Sequence, residues 1–205
     1  EAAIDTGLFD TIFVTTDDER VSEYCSKFDG VITYIRPREL SSPRVKLSQV
    51  LYDGVVKLES HYEIFPDIIV LLSVHSPLRG PEHICKAVDT LILYNTDSVI
   101  SVYEDYELHF THGKNGLKAL NRGMLNKIRL ERESLYVDNG AIKVFWRDVI
   151  KEDELYGRNI GHIVMAFDDS LQIKKPFDLW MAEQILLRRK RQMVTEQTLV
   201  YSEEV

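Results

Sequence analysis

The chain has 205 residues, of which 44% are hydrophobic and 28% are charged. This composition is typical of a globular domain and excludes disordered, collagen-like and coiled-coil proteins. The 25 basic and 33 acidic side chains give a formal net charge of -8, which provides no basic surface for nucleic acid or an anionic membrane. Local basic pockets for small anions remain compatible with this charge. The length predicts one domain. The residue pattern places this domain at 1–191 and a C-terminal tail at 192–205.

The cysteines and the apolar runs both favour a cytoplasmic location. Cys25 and Cys85 lie far apart and lack metal-ligand spacing, so we interpret them as small buried residues in a reducing compartment. No apolar run approaches the ~20 residues needed to cross a bilayer, and no basic start precedes an apolar run. The first four residues have the pattern of a helix end closed by Gly7, so we expect further residues upstream.

The first hundred residues alternate between strand-like and helix-like patterns. Apolar, β-branched runs predict four strands, at 11–16, 31–35, 68–72 and 98–102. Helical spacing predicts helices at 19–28, capped by Asp17 or Asp18, at 47–58, and from Pro81 onward. These repeated units predict an α/β fold with a mostly parallel sheet and helices on both faces. Because ligands of such sheets bind beyond the carboxyl ends of the strands, we expect one pocket among the loops after these four strands.

The pattern changes after residue 102. Residues 103–135 are polar and contain Gly113, Gly116 and Gly123, which predicts a protruding arm of loops and short strands. Strand-like runs return at 140–145 and 160–167, and helical spacing from Pro176 to Arg191 predicts a closing helix.

Four motifs stand in a fixed order along the chain. They are Phe9-Asp10-Thr11-Ile12-Phe13-Val14-Thr15-Thr16-Asp17, Arg36-Pro37-Arg38-Glu39-Leu40, Leu71-Leu72-Ser73-Val74-His75-Ser76-Pro77-Leu78-Arg79 and Asn139-Gly140-Ala141-Ile142. Together they resemble the acylneuraminate cytidylyltransferase family over about residues 1–190. The resemblance implies a Rossmann-like nucleotidyltransferase that transfers CMP from CTP to a nonulosonic, sialic-acid-like sugar acid and releases pyrophosphate. It also implies Mg²⁺ as cofactor and a homodimer formed through the arm.

The resemblance assigns candidate substrate-binding positions, each with a structural alternative. Arg36 matches a family arginine that contacts the nucleotide, or it is a solvated loop residue. Asn139 matches an asparagine of the sugar pocket, or it is a turn residue before Gly140. Arg79 either contacts substrate or fixes the turn that precedes the next helix. Arg129 lies where the family often has a basic arm residue, and it either meets an anionic group or faces solvent.

The chain departs from the family pattern at three places. The family opens with a strand and a glycine-rich, basic loop that cradles the triphosphate, and no such loop precedes Glu1 in this sequence. Ser73 replaces a glutamine that helps to hold the sugar acid. Gln172 and Lys174 replace two aspartates of the metal site, although Mg²⁺ prefers anionic oxygen ligands. Asp168 and Asp169 lie upstream, either as a relocated carboxylate or in an exposed turn.

Two functions follow from the sequence. The first is a nucleotidyltransferase that acts on CTP and a sugar acid, with an altered metal site and no assigned catalytic residue. The alternative is a non-catalytic cytidylyltransferase-like subunit that keeps the fold and has lost the Mg²⁺-dependent chemistry. The lost carboxylates favour the alternative, and the ordered motifs favour the enzyme.

Overall fold

The computed structural model describes residues 1–203, and it describes side chains as far as residue 192. The five helices are α1 (Ala2–Asp5), α2 (Glu19–Cys25), α3 (Leu47–His61), α4 (Pro81–Tyr94) and α5 (Pro176–Glu203). The eight strands are β1 (Ile12–Thr16), β2 (Val31–Ile35), β3 (Ile68–Leu72), β4 (Ser98–Asp105), β5 (Phe110–Gly113), β6 (Gly116–Ala119), β7 (Leu135–Trp146) and β8 (Ile160–Val164).

The predicted helices form where capping and apolar spacing indicate them. The Asp18 carboxylate accepts a hydrogen bond of 2.9 Å from the Arg20 backbone N–H at the start of α2. Hydrogen bonds from the Arg20 side chain and backbone lower the pKa of Asp18 to about 2. Pro81 occupies the first position of α4, as predicted. The predicted tail over 192–205 continues α5 as far as Glu203, and residues 204–205 lie outside the described residues.

The prediction of a mostly parallel sheet is wrong, because the strands form a mixed arrangement. β1 and β2 make a two-stranded parallel sheet, whereas the larger sheet has the order β3-β7-β4-β8. β7 pairs antiparallel with β3, from Ile68 opposite Trp146 to Leu72 opposite Ile142. β3 is therefore an edge strand of its sheet. An apolar run reports that side chains are buried and carries no information about the direction of the neighbouring strand.

The chain divides into two compact units, which we describe separately. Unit 1 comprises residues 1–74, 79–100 and 141–163, and unit 2 comprises 75–78, 101–140 and the chain from 164 onward.

The core of unit 1 lies between α3 and the sheet that contains β3 and β7. Val55, Phe145, Ile150 and Leu155 are buried together, and Leu51, Ile69 and Leu71 pack against them. Leu51 and Val55 come from α3, and Ile69 and Leu71 occupy alternate positions of β3, which is the periodicity that predicts a buried helix–sheet contact. Ile150 and Leu155 belong to the segment between β7 and β8.

Unit 2 contains the predicted arm and the start of α5. Between residues 103 and 135, β5 and β6 pair antiparallel as a hairpin, and short 3-10 turns follow at Arg122–Met124 and Arg129–Glu131. The predicted content of short strands and loops is therefore confirmed. Within the described part of the chain, no helix has both the length and the apolarity required to cross a membrane.

Candidate functional site

Arg36 lies at the carboxyl ends of the two parallel strands of unit 1. Its backbone N–H donates a 2.7 Å hydrogen bond to the carbonyl oxygen of Thr16, which joins the loop after β2 to the end of β1. Its guanidinium Nη2 is 3.5 Å from Asp17 Oδ1, and only 19% of the Arg36 side chain is exposed. The sequence-predicted arginine is therefore held in place by the ends of both strands, where a fold of this class binds ligands.

Ser73 and Arg79 contact one another in unit 1. The Arg79 Nη1 donates a 2.5 Å hydrogen bond to the Ser73 carbonyl oxygen, and the Ser73 N–H donates to the Ala141 carbonyl oxygen. Burial lowers the pKa of the Arg79 guanidinium from its ordinary value, although arginine remains protonated at neutral pH. The geometry gives Arg79 a clear structural role in the turn after β3. Its contact with substrate stays a prediction, as does that of Ser73.

Asn139 is at the centre of a buried hydrogen-bond network in unit 2, with only 2% of the residue exposed. Its Oδ1 accepts a 2.5 Å hydrogen bond from Ser101 Oγ. Its Nδ2 donates to Ser170 Oγ at 2.8 Å and to Met165 Sδ at 3.3 Å. Both amide atoms therefore have partners inside the unit, and a sugar acid that accepted from Nδ2 would have to displace Ser170 or Met165. Contact between Asn139 and substrate stays a prediction.

Gln172 belongs to the same network. Its Nε2 donates a hydrogen bond to the Asn139 carbonyl oxygen. Gly140, which has a left-handed backbone (φ +64°), lies so close that a Cβ atom there would be 2.7 Å from Gln172 Nε2. The side chain that stands at the expected metal position is thus directed to the backbone of β7 as a hydrogen-bond donor.

The residues at the expected metal position do not fit Mg²⁺. Gln172 presents an N–H group to its neighbour, and the exposed Lys174 carries a positive charge. The Asp178 carboxylate accepts 2.9 Å hydrogen bonds from the backbone N–H groups of Lys174 and Lys175. Among the residues that the structure describes, no group of three or more His, Cys, Asp or Glu side chains is placed to hold a metal ion.

The two upstream aspartates differ in their surroundings. Asp169 forms an ion pair with Arg189, whose Nη1 also donates a 3.2 Å hydrogen bond to the Leu78 carbonyl oxygen. Asp168 is exposed at the start of a 3-10 turn. The ion pair of Asp169 with an arginine disfavours its use as a relocated metal ligand.

Arg129 lies on the arm of unit 2. It is 71% exposed, and its Nη2 is 3.6 Å from Glu107 Oε1. In a single copy of the chain, Arg129 therefore faces solvent, which was one of the two alternatives. Its binding of an anionic group stays a prediction.

The partners that hold these residues in place could not be predicted from local spacing in the sequence. Ser101, Ser170 and Gln172 surround Asn139, yet they are 31 to 38 positions away from it in the chain. No local spacing could have indicated that contact. Lys143 is a different case, since a lysine inside the apolar run of β7 is visible in the sequence. It is only 6% exposed, and its Nζ lies 5.4 Å from the centroid of the Tyr156 ring.

Two solved structures with a similar arrangement of helices and strands can be compared with this chain. A 4-diphosphocytidyl-2C-methyl-D-erythritol synthase from Anaerococcus prevotii superimposes with a TM-score of 0.61, covering 91% of this chain and 85% of that one at 13% identity. A CMP:2-keto-3-deoxy-manno-octonic acid synthetase in complex with CTP gives a TM-score of 0.56, covering 87% and 81% at 16% identity. The fold is therefore that of the α/β nucleotidyltransferases.

Proteins related in sequence indicate a more specific family than the fold does. The N-acylneuraminate cytidylyltransferase of Streptococcus agalactiae is 30% identical over 181 residues, which cover 84% of this chain and 42% of that protein. The post-translational flagellin modification protein B of Campylobacter coli is 22% identical over 189 residues, covering 90% and 80%. No protein-family model matches the chain. The chain is a distant homologue of the N-acylneuraminate cytidylyltransferases, and it spans less than half the length of the Streptococcus protein.

Proposed function

We propose that the chain is a cytidylyltransferase that transfers CMP from CTP to a nonulosonic, sialic-acid-like sugar acid. In this reaction a sugar hydroxyl oxygen forms a bond to the α-phosphorus of CTP, and the hydroxyl proton passes to water. The bond between that phosphorus and the β-phosphate oxygen breaks, and pyrophosphate leaves with the electron pair. From the same resemblance we propose that the protein acts in the cytoplasm as a homodimer.

The placement of Arg36 supports this proposal most directly. A guanidinium at the carboxyl ends of β1 and β2 can donate paired hydrogen bonds to phosphate or cytosine oxygens. The hydrogen bond from the Arg36 backbone N–H to Thr16 and the low exposure of the side chain restrict its conformations. Little conformational entropy is therefore lost when the side chain binds a ligand. Arg36 would thus bind and orient the nucleotide.

Calorimetric titration with CTP tests this role. Arg36→Ala should weaken CTP binding about tenfold or more, because a hydrogen bond to a charged group contributes about 1.5–3 kcal/mol. Arg38→Ala is the matched control, since Arg38 is exposed two residues further along the same loop. Equal affinities for the two variants would contradict the assignment.

A second candidate function is a non-catalytic subunit that keeps the fold. The hydrogen bond from Gln172 to Asn139 favours it, because this contact occupies the position at which the resemblance places a metal ligand. Pyrophosphate release from CTP and N-acetylneuraminic acid, measured with and without Mg²⁺, separates the two functions. Binding of CTP without pyrophosphate release would select the non-catalytic subunit, and turnover would select the enzyme.

A further inference from the structure

The first four turns of α5 expose large apolar side chains to solvent. Phe177 and Trp180 are 64% and 53% exposed, and their rings stack with the centroids 5.6 Å apart. Leu187 lies two turns beyond Trp180 on the same side of the helix and is 48% exposed. An apolar stripe of this kind on a folded unit marks a surface that meets a partner or a membrane. The less exposed face of the helix is formed by other residues, namely Asp178, Ala182, Ile185 and Arg189.

Basic side chains lie at both ends of the apolar stripe. Residues 174–191, whose side chains the structure describes throughout, contain six basic and two acidic residues, whereas the whole chain has a net charge of -8. Glu183 is the one exposed acidic side chain of this segment, since Asp178 is partly buried and accepts hydrogen bonds from two backbone N–H groups. The exposed basic residues are Lys174 and Lys175 at one end, and Arg188, Lys190 and Arg191 at the other.

The charges of this face disfavour a second copy of α5 as its partner. In an antiparallel pair that places Trp180 of one helix against Leu187 of the other, the basic residues at one end would lie beside those at the opposite end. The two copies of Glu183 would also lie next to each other near the two-fold axis. A parallel pair would place each basic cluster beside its own copy. Because like charges are opposed in both arrangements, the face is complementary to an anionic partner instead.

We propose that this face of α5 binds the surface of an anionic lipid bilayer, with the helix lying in the plane of the membrane. Phe177, Trp180 and Leu187 would enter the boundary between headgroups and acyl chains, and the basic residues at both ends would contact lipid phosphates. Lipid is favoured over nucleic acid because Leu179 and Leu186 are also exposed along the same turns. Aliphatic side chains are stabilised in an acyl environment, whereas single-stranded nucleic acid offers bases that stack on aromatic rings.

Sedimentation with lipid vesicles tests this proposal independently of CTP binding and turnover. The 205-residue chain should bind vesicles of phosphatidylcholine that contain about one third phosphatidylglycerol at least about tenfold more tightly than vesicles of phosphatidylcholine alone. Tryptophan emission provides a second measurement, since the emission of Trp180 should shift to shorter wavelength as its indole leaves water.

Two substitutions on α5 separate the apolar and the electrostatic contributions. Trp180→Ala should weaken binding to the anionic vesicles at least about tenfold and abolish the emission shift. Lys190→Gln should weaken binding about fivefold, which is the contribution of one basic residue near an anionic surface. Tyr94→Ala and Lys46→Gln are the controls, because these side chains are 75% and 66% exposed outside α5, and both variants should bind as the natural chain does.

Four results would overturn the proposal. Absence of binding to the anionic vesicles would exclude a membrane surface, and equal binding to both kinds of vesicle would exclude the electrostatic contribution. Equal losses in Trp180→Ala and Tyr94→Ala would show that α5 is not the contact. A Trp180 emission shift that appears without vesicles would assign the face to a second copy if it follows protein concentration, and to nucleic acid if it requires a single-stranded oligonucleotide.

Discussion

Two constraints act on Gly140, so substitution of this residue should destabilise the Asn139 network. Its φ of +64° is unfavourable for any residue with a Cβ atom, and that atom would also meet Gln172 Nε2. We expect Gly140→Ala to lower the free energy of unfolding by about 2–3 kcal/mol, combining backbone strain with the displaced hydrogen bond. Denaturant unfolding measures this change.

Gly7 supplies the matched control for this substitution. Its φ is +63°, yet nothing lies within 4 Å of the position of its Cβ atom. Gly7→Ala should therefore cost only the backbone term of about 1 kcal/mol. If the two substitutions cost the same, the contact between Gly140 and Gln172 has no energetic consequence.

Glu59 and Arg147 form a partly buried ion pair in unit 1. Arg147 Nη2 donates a 2.8 Å hydrogen bond to Glu59 Oε2, and the Glu59 side chain is 23% exposed. The hydrogen bond from Arg147 lowers the pKa of the Glu59 carboxyl below its ordinary value of 4.5. The pair therefore stabilises the fold fully above pH 4.5, and this contribution is lost as pH falls through the lowered pKa.

Glu59→Gln should reduce the free energy of unfolding at pH 7 by about 1–2 kcal/mol. The difference in the free energy of unfolding between this variant and the natural chain should shrink in acid. Protonation of Glu59 in the natural chain then removes the same negative charge that the substitution removes. Asp153→Asn is the control, since Asp153 pairs with Lys46 while 80% exposed, and it should cause no measurable change. A difference that grows in acid would contradict the assigned direction of the pKa shift.

The surroundings of some site residues could be predicted from the sequence, whereas those of others could not. The capping role of Asp18 could be predicted, because a cap and its helix are adjacent in the chain. Arg36 could be placed at a strand end because it directly follows the predicted strand in the chain. The burial of Asn139 could not, since its partners Ser101 and Ser170 come from distant parts of the chain. A motif identifies a residue type, whereas the contacts of that residue depend on tertiary structure.

At the scale of the elements, the segment from Ser170 to Lys174 forms hydrogen bonds at the place where the resemblance implies a metal site. Substitution of Gln172 and Lys174 by aspartate would change the local charge from about +1 to -2, which favours a divalent cation. We expect the double variant to bind Mn²⁺ in calorimetric titration at least about tenfold more tightly than the natural chain.

A variant with aspartate at Gln172 and Lys175 has the same charge and serves as the control. Lys175 is also exposed, but it lies outside the position that the resemblance assigns to the metal. Equal gains in both variants would show that the position of the second aspartate has no effect on metal affinity. Tight Mn²⁺ binding by the natural chain would show that its own residues already form a cation site.

The order and type of the elements could be predicted better than their pairing. Alternating periodicities indicated the strands from β1 to β4, and the structure contains all of them. The antiparallel entry of β7 beside β3 could not be predicted, because the apolar pattern is identical for either direction. The length of α5 was underestimated for a related reason, since polar residues beyond Arg191 weaken the apolar period while helix propensity continues.

At the scale of the whole molecule, the arm exposes more apolar surface than a polar segment would be expected to carry. Leu117, Ile128 and Leu130 are 74%, 63% and 94% exposed. We expect a second copy to cover this surface, so light scattering should report a dimer at micromolar concentration.

Leu130→Glu should shift the population toward the monomer, because burial of a carboxylate in an apolar contact is unfavourable. Leu93→Glu is the control, since Leu93 on α4 is 78% exposed and lies outside the arm. A natural chain that stays monomeric at high micromolar concentration would contradict the expectation, and so would equal effects of the two variants.

The contacts of Arg189 affect where a protease can cleave the chain. One guanidinium joins α5 to Asp169 and to the Leu78 carbonyl oxygen, so three parts of unit 2 that are remote in sequence depend on it. A protease that cleaves after basic residues must extract this side chain before it can cut there, whereas cleavage beyond Arg191 leaves the contact intact. We therefore expect fragments that end before Arg189 to be less stable, because they lose the contacts between α5 and the turn that precedes α4.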